Sequence, residues 1–153
     1  MNIKGLITED FVNYKKPSMT IMFPFCNFKC GTGYCQNSPL VKEKNINLSV
    51  DNIVERYINN PISEAIVMQG LEPFDSWEDL LELVTQLRIK CLDDVVIYTG
   101  YNKEEITDKV LILSNFKNII IKFGRYVPNQ EKHYDDILGV YLASDNQYAE
   151  KIS

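Results

Sequence analysis

The sequence has no long apolar run and no leader-like N-terminus. None of its apolar stretches approaches the roughly 20 residues that a membrane-spanning helix needs. The first ten residues, MNIKGLITED, include acidic side chains and lack the apolar centre of a signal peptide. We therefore expect a cytoplasmic protein with no membrane partner.

Basic residues are in the minority. Lys and Arg total 16 against 21 Asp and Glu, which gives a net charge of −5. Because nonspecific nucleic-acid binding depends on neutralising phosphates, we expect no nucleic-acid partner. Internal repeats, low-complexity segments and Pro/Gly/Ser-rich linkers are also absent. With 153 residues, 45% of them hydrophobic, the sequence predicts one domain over residues 1–153.

The sequence has only four cysteines and one histidine. This is too few cysteines for a disulfide framework, yet Cys26, Cys30 and Cys35 fall in one short segment. Thiolates bind zinc, iron–sulfur clusters or Cu(I), and three of them leave one coordination position open. Cys91 is interpreted as a small buried filler and His133 as a surface residue, so neither is expected to be a ligand.

The rest of the chain alternates between apolar runs typical of buried parallel strands and segments with helical spacing. The predicted strands are Thr20–Phe25, Ala65–Met68, Val95–Tyr98 and Asn118–Phe123. Predicted helices begin near Ser49, Ser76 and Asn102. Connections of this length predict parallel neighbouring strands joined by right-handed crossovers, and hence an α/β fold. The chain is too short for a complete eight-fold barrel, so an open or partial barrel or a doubly wound sheet remains.

Unusual loops follow all four predicted strands. Cys26 follows the first, Gln69–Pro73 the second, Thr99–Tyr101 the third and Gly124–Arg125 the fourth. The carboxyl ends of parallel strands meet at one edge of the sheet, where ligands bind. The sequence therefore predicts a binding site at this edge.

Several segments resemble a known superfamily. CNFKC followed by YCQNS is similar to the cluster loop of radical S-adenosylmethionine enzymes, which usually reads C-x3-C-x2-C and here reads C-x3-C-x4-C. The segment 69–73, QGLEP, resembles their Gly-Gly-Glu-Pro motif, with one glycine of the pair. Three further segments resemble the small activating proteins of anaerobic ribonucleoside-triphosphate reductase: VVIYTGYNKEEI (95–106), IIIKFGRY (119–126) and LASDNQ (142–147).

The resemblance implies a parallel sheet with outer helices in a partial (incomplete) β/α barrel. It implies a [4Fe–4S] cluster held by Cys26, Cys30 and Cys35, with S-adenosylmethionine at the fourth iron. The activity implied is that of an oxidoreductase, which cleaves S-adenosylmethionine reductively and generates a glycyl radical on its partner. The partners implied are the large subunit of anaerobic ribonucleoside-triphosphate reductase and a small electron donor such as flavodoxin or ferredoxin.

The same resemblance suggests which residues contact the cofactor. They are Gln69, Gly70, Glu72, Pro73, Thr99, Gly100, Arg125 and Asn146. Ser144 and Gln147 are further candidates, and Phe28 and Tyr34 are expected to cover the cluster.

Each of these assignments has a purely structural alternative. Glu72 can serve as a carboxylate in the first turn of a helix, Thr99 as part of a capping turn and Arg125 as an ordinary surface residue. At the level of function, a non-catalytic iron–sulfur or zinc protein on the same fold is the alternative to an activating enzyme.

Overall fold

The structure, a computed structural model, describes residues 1–29, 31, 35 and 37–153. The strands and α-helices in chain order are β1 (Asn2–Ile3), β2 (Gly5–Asp10), β3 (Ser18–Phe23), β4 (Ile46–Asn47), α1 (Val50–Ile58), β5 (Ala65–Gly70), α2 (Trp77–Lys90), β6 (Asp94–Tyr98), α3 (Thr107–Leu113), β7 (Ile119–Phe123), β8 (His133–Asp135), β9 (Val140–Leu142) and β10 (Tyr148–Lys151). Short 3-10 turns occur at Ser38–Lys42, Pro73–Ser76 and Lys103–Ile106.

The main sheet of the described chain has six strands in the order β10-β7-β6-β5-β3-β2. Its four central strands are parallel neighbours, which confirms the prediction for the four apolar runs. The first of them ends at Phe23 rather than at Phe25, since Pro24 follows and cannot donate to a ladder. The antiparallel edge strands β2 and β10 were not predicted.

The helices start where the sequence indicates. Ser49 caps α1, its hydroxyl accepting a hydrogen bond from the Asn52 N–H at 3.1 Å. Asn102 and Glu105 form a capping box that opens the 3-10 turn leading into α3. The turn at Pro73–Ser76 precedes α2, so the helix itself begins at Trp77.

The two faces of the sheet are covered differently. The three α-helices and one set of strand side chains form a large apolar cluster on one face. On the other face a smaller cluster joins strand residues to the segment before β3, the β8–β9 hairpin and β10: Tyr14, Ala65, Val67, Val96, Ile120, Leu138, Leu142 and Ala149. With its helices on one face, the sheet is not doubly wound.

Among the described residues, no helix combines the length and the apolar character that crossing a membrane requires.

Gly70 ends β5 at a point where a side chain does not fit. Its φ is +105°, and a Cβ there would lie 2.7 Å from the backbone nitrogen of Phe23 on the paired strand. Only glycine adopts this conformation without strain, so the close approach of β3 and β5 depends on it. The site described below begins immediately after this point.

We expect Gly70→Ala to destabilise the protein by about 1–3 kcal/mol, because it combines left-handed strain with a backbone clash. The measurement is chemical unfolding of the apoprotein. Gly5→Ala is the matched control, since a Cβ at Gly5 meets only the Met22 sulfur at 3.5 Å. A Gly70→Ala protein no less stable than the Gly5→Ala protein would contradict the expectation.

Candidate functional site

A cavity of about 400 Å³ lies at the carboxyl edge of the four parallel strands. The loops after β3, β5, β6 and β7 all contribute to it, as the sequence predicts for this edge. Eight of the candidate residues named from the sequence line it: Cys26, Cys35, Gln69, Gly70, Glu72, Gly100, Arg125 and Gln147. Three others are not among the lining residues: Pro73 begins the turn after Glu72, the Thr99 hydroxyl donates to Glu72, and the Asn146 amide donates to the Arg125 carbonyl oxygen.

The loop after β3 brings cysteine sulfur to the cavity. Cys26 and Cys35 are both partly exposed and both line the cavity. The Cys26 Sγ accepts a hydrogen bond from the Phe28 N–H at 3.2 Å, and Phe28 has a left-handed φ of +54°. Cys30 and Tyr34 lie outside the described residues. Within the described part of the chain, no three His, Cys, Asp or Glu residues come together as a metal site.

Cys91 and His133 lie apart from this cavity. Cys91 follows α2 and packs against the helix-side core, at the sheet edge where β6 begins. His133 lies on β8, with its Nε2 2.9 Å from the Gln147 carbonyl oxygen. It is partly buried rather than on the surface as expected, because the hairpin folds back over the sheet.

Glu72 is a buried carboxylate, only 4% exposed, in the cavity wall. Its Oε1 accepts hydrogen bonds from the Thr99 hydroxyl at 2.8 Å and the Phe74 N–H at 3.1 Å, and its Oε2 accepts one from the Gly100 N–H at 2.9 Å. Burial raises the pKa of Glu72 to about 7, although the hydrogen bonds from Gly100, Thr99 and Phe74 oppose the shift. The carboxyl therefore changes protonation near neutral pH.

Lys122 brings a positive charge to the cavity lining. It is 7% exposed, and its Nζ donates to the carbonyl oxygens of Gly124 at 2.8 Å and Thr99 at 3.5 Å. Nearby, the Tyr98 hydroxyl donates to the Asn13 carbonyl oxygen at 2.6 Å. Lys122 and Tyr98 were not predicted from the sequence as site residues. The available signal was a lysine within the otherwise apolar strand IIIKF.

Arg125 forms a bidentate ion pair with Glu105 at the edge of the cavity. Its two terminal nitrogens donate to the Glu105 carboxylate oxygens at 2.8 and 2.9 Å. This pairing lowers the pKa of Glu105 to about 2, aided by the Asn102 N–H. The guanidinium also lies over the Tyr101 ring, 5.5 Å from its centroid.

Asn146 shapes the loop that follows β7. Its Nδ2 donates to the Arg125 carbonyl oxygen at 2.7 Å, and its Oδ1 accepts from the Ser144 hydroxyl at 2.8 Å. Gln147 accepts hydrogen bonds from the N–H groups of Ala143 and Ser144. Gly124, with a φ of +100°, leaves the room that the Asn146 backbone occupies. Of these residues, Gly124 and Gln147 also line the cavity.

Thiolate sulfur at the carboxyl edge of a parallel α/β sheet, open to a cavity, suits a protein that binds an iron–sulfur cluster. The chain belongs to the 4Fe-4S single cluster domain family, whose model matches residues 18–147. This domain is found in proteins related to radical S-adenosylmethionine enzymes. No curated protein and no solved structure gave a significant match. The prediction of a [4Fe–4S] cluster is thus supported at the level of the family.

We expect Cys26→Ser, Cys30→Ser and Cys35→Ser each to remove most of the iron bound after anaerobic reconstitution, because each replacement removes a thiolate from the loop. Iron per chain is the measurement. Cys91→Ser is the control and should keep wild-type iron, since Cys91 packs at the other edge of the sheet. Near-normal iron in the Cys30→Ser protein, or severe loss in a folded Cys91→Ser protein, would contradict this assignment.

The raised pKa of Glu72 has a consequence for stability. Between its ordinary value of 4.5 and about 7, the folded state keeps a proton that the unfolded state releases. Glu72 therefore makes the apoprotein lose stability as pH rises through this range, by about 3 kcal/mol in total. We expect Glu72→Gln to remove this loss, measured as the difference in unfolding free energy between pH 5 and pH 7.5.

Glu105→Gln is the control for this measurement. The pKa of Glu105 is shifted in the opposite direction, to about 2. The contribution of Glu105 to the unfolding free energy therefore changes only below the range from pH 5 to pH 7.5. If the Glu72→Gln protein kept the wild-type difference between pH 5 and pH 7.5, the buried carboxyl would not be its source.

Proposed function

We propose that the chain is a radical S-adenosylmethionine enzyme that activates anaerobic ribonucleoside-triphosphate reductase by generating a glycyl radical on its large subunit. The observation that carries the proposal is a shared cavity: the cluster-loop cysteines Cys26 and Cys35 open onto the same space as the segment Gln69–Glu72. In the radical S-adenosylmethionine enzymes that the chain resembles, the matching segments are the cluster loop and the loop that contacts the methionine end of the cofactor.

The size and polarity of the cavity support a small-molecule ligand. About 400 Å³ falls within the roughly 300–1,000 Å³ of typical ligand pockets. Its lining includes the cysteine sulfurs, the carboxyl of Glu72, the ammonium group of Lys122 and the side chains of Tyr98 and Gln147. These groups offer polar partners to both an amino-acid moiety and a nucleoside moiety.

The candidate cofactor-contact residues and Lys122 each have a role in this proposal. Gln69, Gly70 and Glu72 contact the amino-acid end of S-adenosylmethionine, and Pro73 and Thr99 hold Glu72 in place. Lys122 supplies positive charge for the carboxylate of the ligand, a role that its burial strengthens. Gly100 lies beside Arg125 and Glu72, where a Cβ would meet the Arg125 side chain at 3.5 Å, and Asn146 holds the loop that carries Arg125.

A [4Fe–4S] cluster held by Cys26, Cys30 and Cys35 would supply the electron for reductive cleavage of S-adenosylmethionine. The polypeptide would orient the ligand, and a partner docked over the cavity would exclude water from the reacting atoms.

Exposed apolar side chains at the cavity support a protein partner. Val12 and Tyr141 line the cavity and are 76% and 68% exposed, and Phe25, directly before Cys26, is 57% exposed. We propose that the large reductase subunit covers this rim and that a flavodoxin or ferredoxin delivers the electron. We also propose a cytoplasmic location, where the thiolates stay reduced.

The arrangement of the sheet supports the partial-barrel interpretation. The four parallel strands follow one another in chain order, and the three helices that connect them lie on one face. Four parallel strands are half of those in an eight-fold barrel.

A non-catalytic iron–sulfur protein is the second candidate, and a specific observation favours it. Both carboxylate oxygens of Glu72 already accept hydrogen bonds from the protein, and Arg125 is paired with Glu105. In such a protein these residues hold the loops together, and the cluster serves structure or electron transfer.

We expect the reconstituted protein, given dithionite and S-adenosylmethionine, to form 5′-deoxyadenosine and methionine, faster when the large reductase subunit is present. Product is measured by mass spectrometry, and the glycyl radical by electron paramagnetic resonance. Cys91→Ser should match wild type, whereas Cys35→Ser should form no product. If the protein carries a full complement of cluster and still forms no 5′-deoxyadenosine, the activating-enzyme proposal is wrong. The non-catalytic iron–sulfur protein is then the function that remains.

A further inference from the structure

Three polar residues from different loops meet beside the first cysteine, and we call Asn27, Asp75 and Tyr101 the tether. The Asn27 N–H donates to Asp75 Oδ2 at 2.9 Å, and the Tyr101 hydroxyl donates to Asp75 Oδ1 at 2.6 Å. The Asn27 side-chain amide donates in turn to the Tyr101 hydroxyl oxygen. These three hydrogen bonds close a ring between the loops after β3, β5 and β6.

Tyr101 is held firmly within the tether. Burial, and then its hydrogen bond to Asp75, raises the pKa of Tyr101, so its hydroxyl remains a donor at neutral pH. Two cations lie near its ring, Lys29 Nζ at 5.4 Å and Arg125 Cζ at 5.5 Å from the centroid. Its N–H donates to the Thr99 hydroxyl oxygen at 3.0 Å, which connects the tether to the partners of Glu72.

The tether acts on the turn that contains Cys26. Asn27 stands between Cys26 and Phe28, whose N–H donates to Cys26 Sγ. The Asn27 Oδ1 also accepts the Lys29 N–H at 3.2 Å, so both ends of this side chain are engaged. Because Asn27 is fixed through its backbone and its amide, the Phe28 N–H is aimed at the sulfur.

We propose that Asp75 and Tyr101 are positioning residues that raise the reduction potential of the cluster by holding the Phe28 N–H against the Cys26 sulfur. A reduced cluster carries one more negative charge than an oxidised one. A donor aimed at a ligand sulfur therefore stabilises the reduced form more, and hydrogen bonds to sulfur are one of the factors that set these potentials. The proposal rests on the cluster of the family and not on the proposed activity.

The experiment compares three single variants of the reconstituted protein, and the double variant of Asp75→Asn and Tyr101→Phe, without S-adenosylmethionine. Tyr101→Phe keeps the ring and its two cation contacts but removes the hydroxyl, and Asp75→Asn keeps the shape but removes one acceptor oxygen. Tyr57→Phe is the matched control, since it breaks a tyrosine–aspartate hydrogen bond of 2.7 Å to Asp93, at the sheet edge where β6 begins. The midpoint potential is measured by redox titration followed by electron paramagnetic resonance, together with iron content and apoprotein unfolding.

We expect Tyr101→Phe to shift the midpoint to more negative potential, by up to about tenfold in the reduction equilibrium, or about 59 mV for one electron. Asp75→Asn should shift the midpoint in the same direction but by less, because replacing a carboxylate near the cluster with an amide also stabilises the reduced form. The double variant should shift it by less than the sum, because both changes break one network. Tyr57→Phe should leave the potential unchanged.

Two outcomes would overturn the proposal. One is a wild-type potential in both tether variants. The other combines two results: Tyr101→Phe destabilises the apoprotein more than Tyr57→Phe does, and the midpoint potentials of the two variants are the same. In that case the tether stabilises the fold and has no effect on the cluster. Loss of the cluster in Tyr101→Phe with unchanged apoprotein stability would support a positioning role. None of these outcomes depends on whether S-adenosylmethionine is cleaved.

Discussion

The arrangement of the site depends on how Glu72 joins three strand ends. Its backbone N–H donates to the Phe25 carbonyl oxygen at 2.8 Å, directly before Cys26. Its carboxylate accepts hydrogen bonds from the Thr99 hydroxyl and the Gly100 N–H after β6. Glu72 therefore fixes the relative positions of three loops: the cluster loop after β3, its own loop after β5 and the loop after β6. A buried carboxyl is costly unless its oxygens are satisfied, so the three loops are held together by the same contacts that make its burial tolerable.

The helices on one face leave the other face of the sheet free for a polar cavity. Side chains along a strand alternate between faces, so Ile119, Ile121 and Phe123 join the helix-side core while Ile120 and Lys122 point the other way. At the carboxyl end of β7 this second face has no helix above it. The lysine can therefore occupy a buried strand and still bring its ammonium group to the ligand space. The cluster loop and Lys122 thus line one cavity.

Much of the fold was predictable because its central strands are buried on both faces. Continuous apolar runs such as Ala65–Met68 predict strands without any knowledge of the partner, and Ser49 and Asn102 mark helix starts through local hydrogen bonds. The edge strands β2 and β10 were missed because half of each is exposed and neither forms a continuous buried apolar run. Their pairing with β3 and β7 depends on long-range contact, which local pattern does not encode.

For the site, the sequence by itself determined the chemistry and the edge of the sheet: three cysteines in one loop, and unusual loops after successive parallel strands. These follow from residue type and from the rule that parallel strands end on one side. Only the tertiary structure decided the partners of each side chain. Arg125 meets Glu105, Tyr101 meets Asp75 and Asn27, and Lys122 enters the cavity wall, through contacts that join residues from separate loops. Such contacts arise only when the strands assemble, because each pair is brought within hydrogen-bond distance by the packing of the whole sheet.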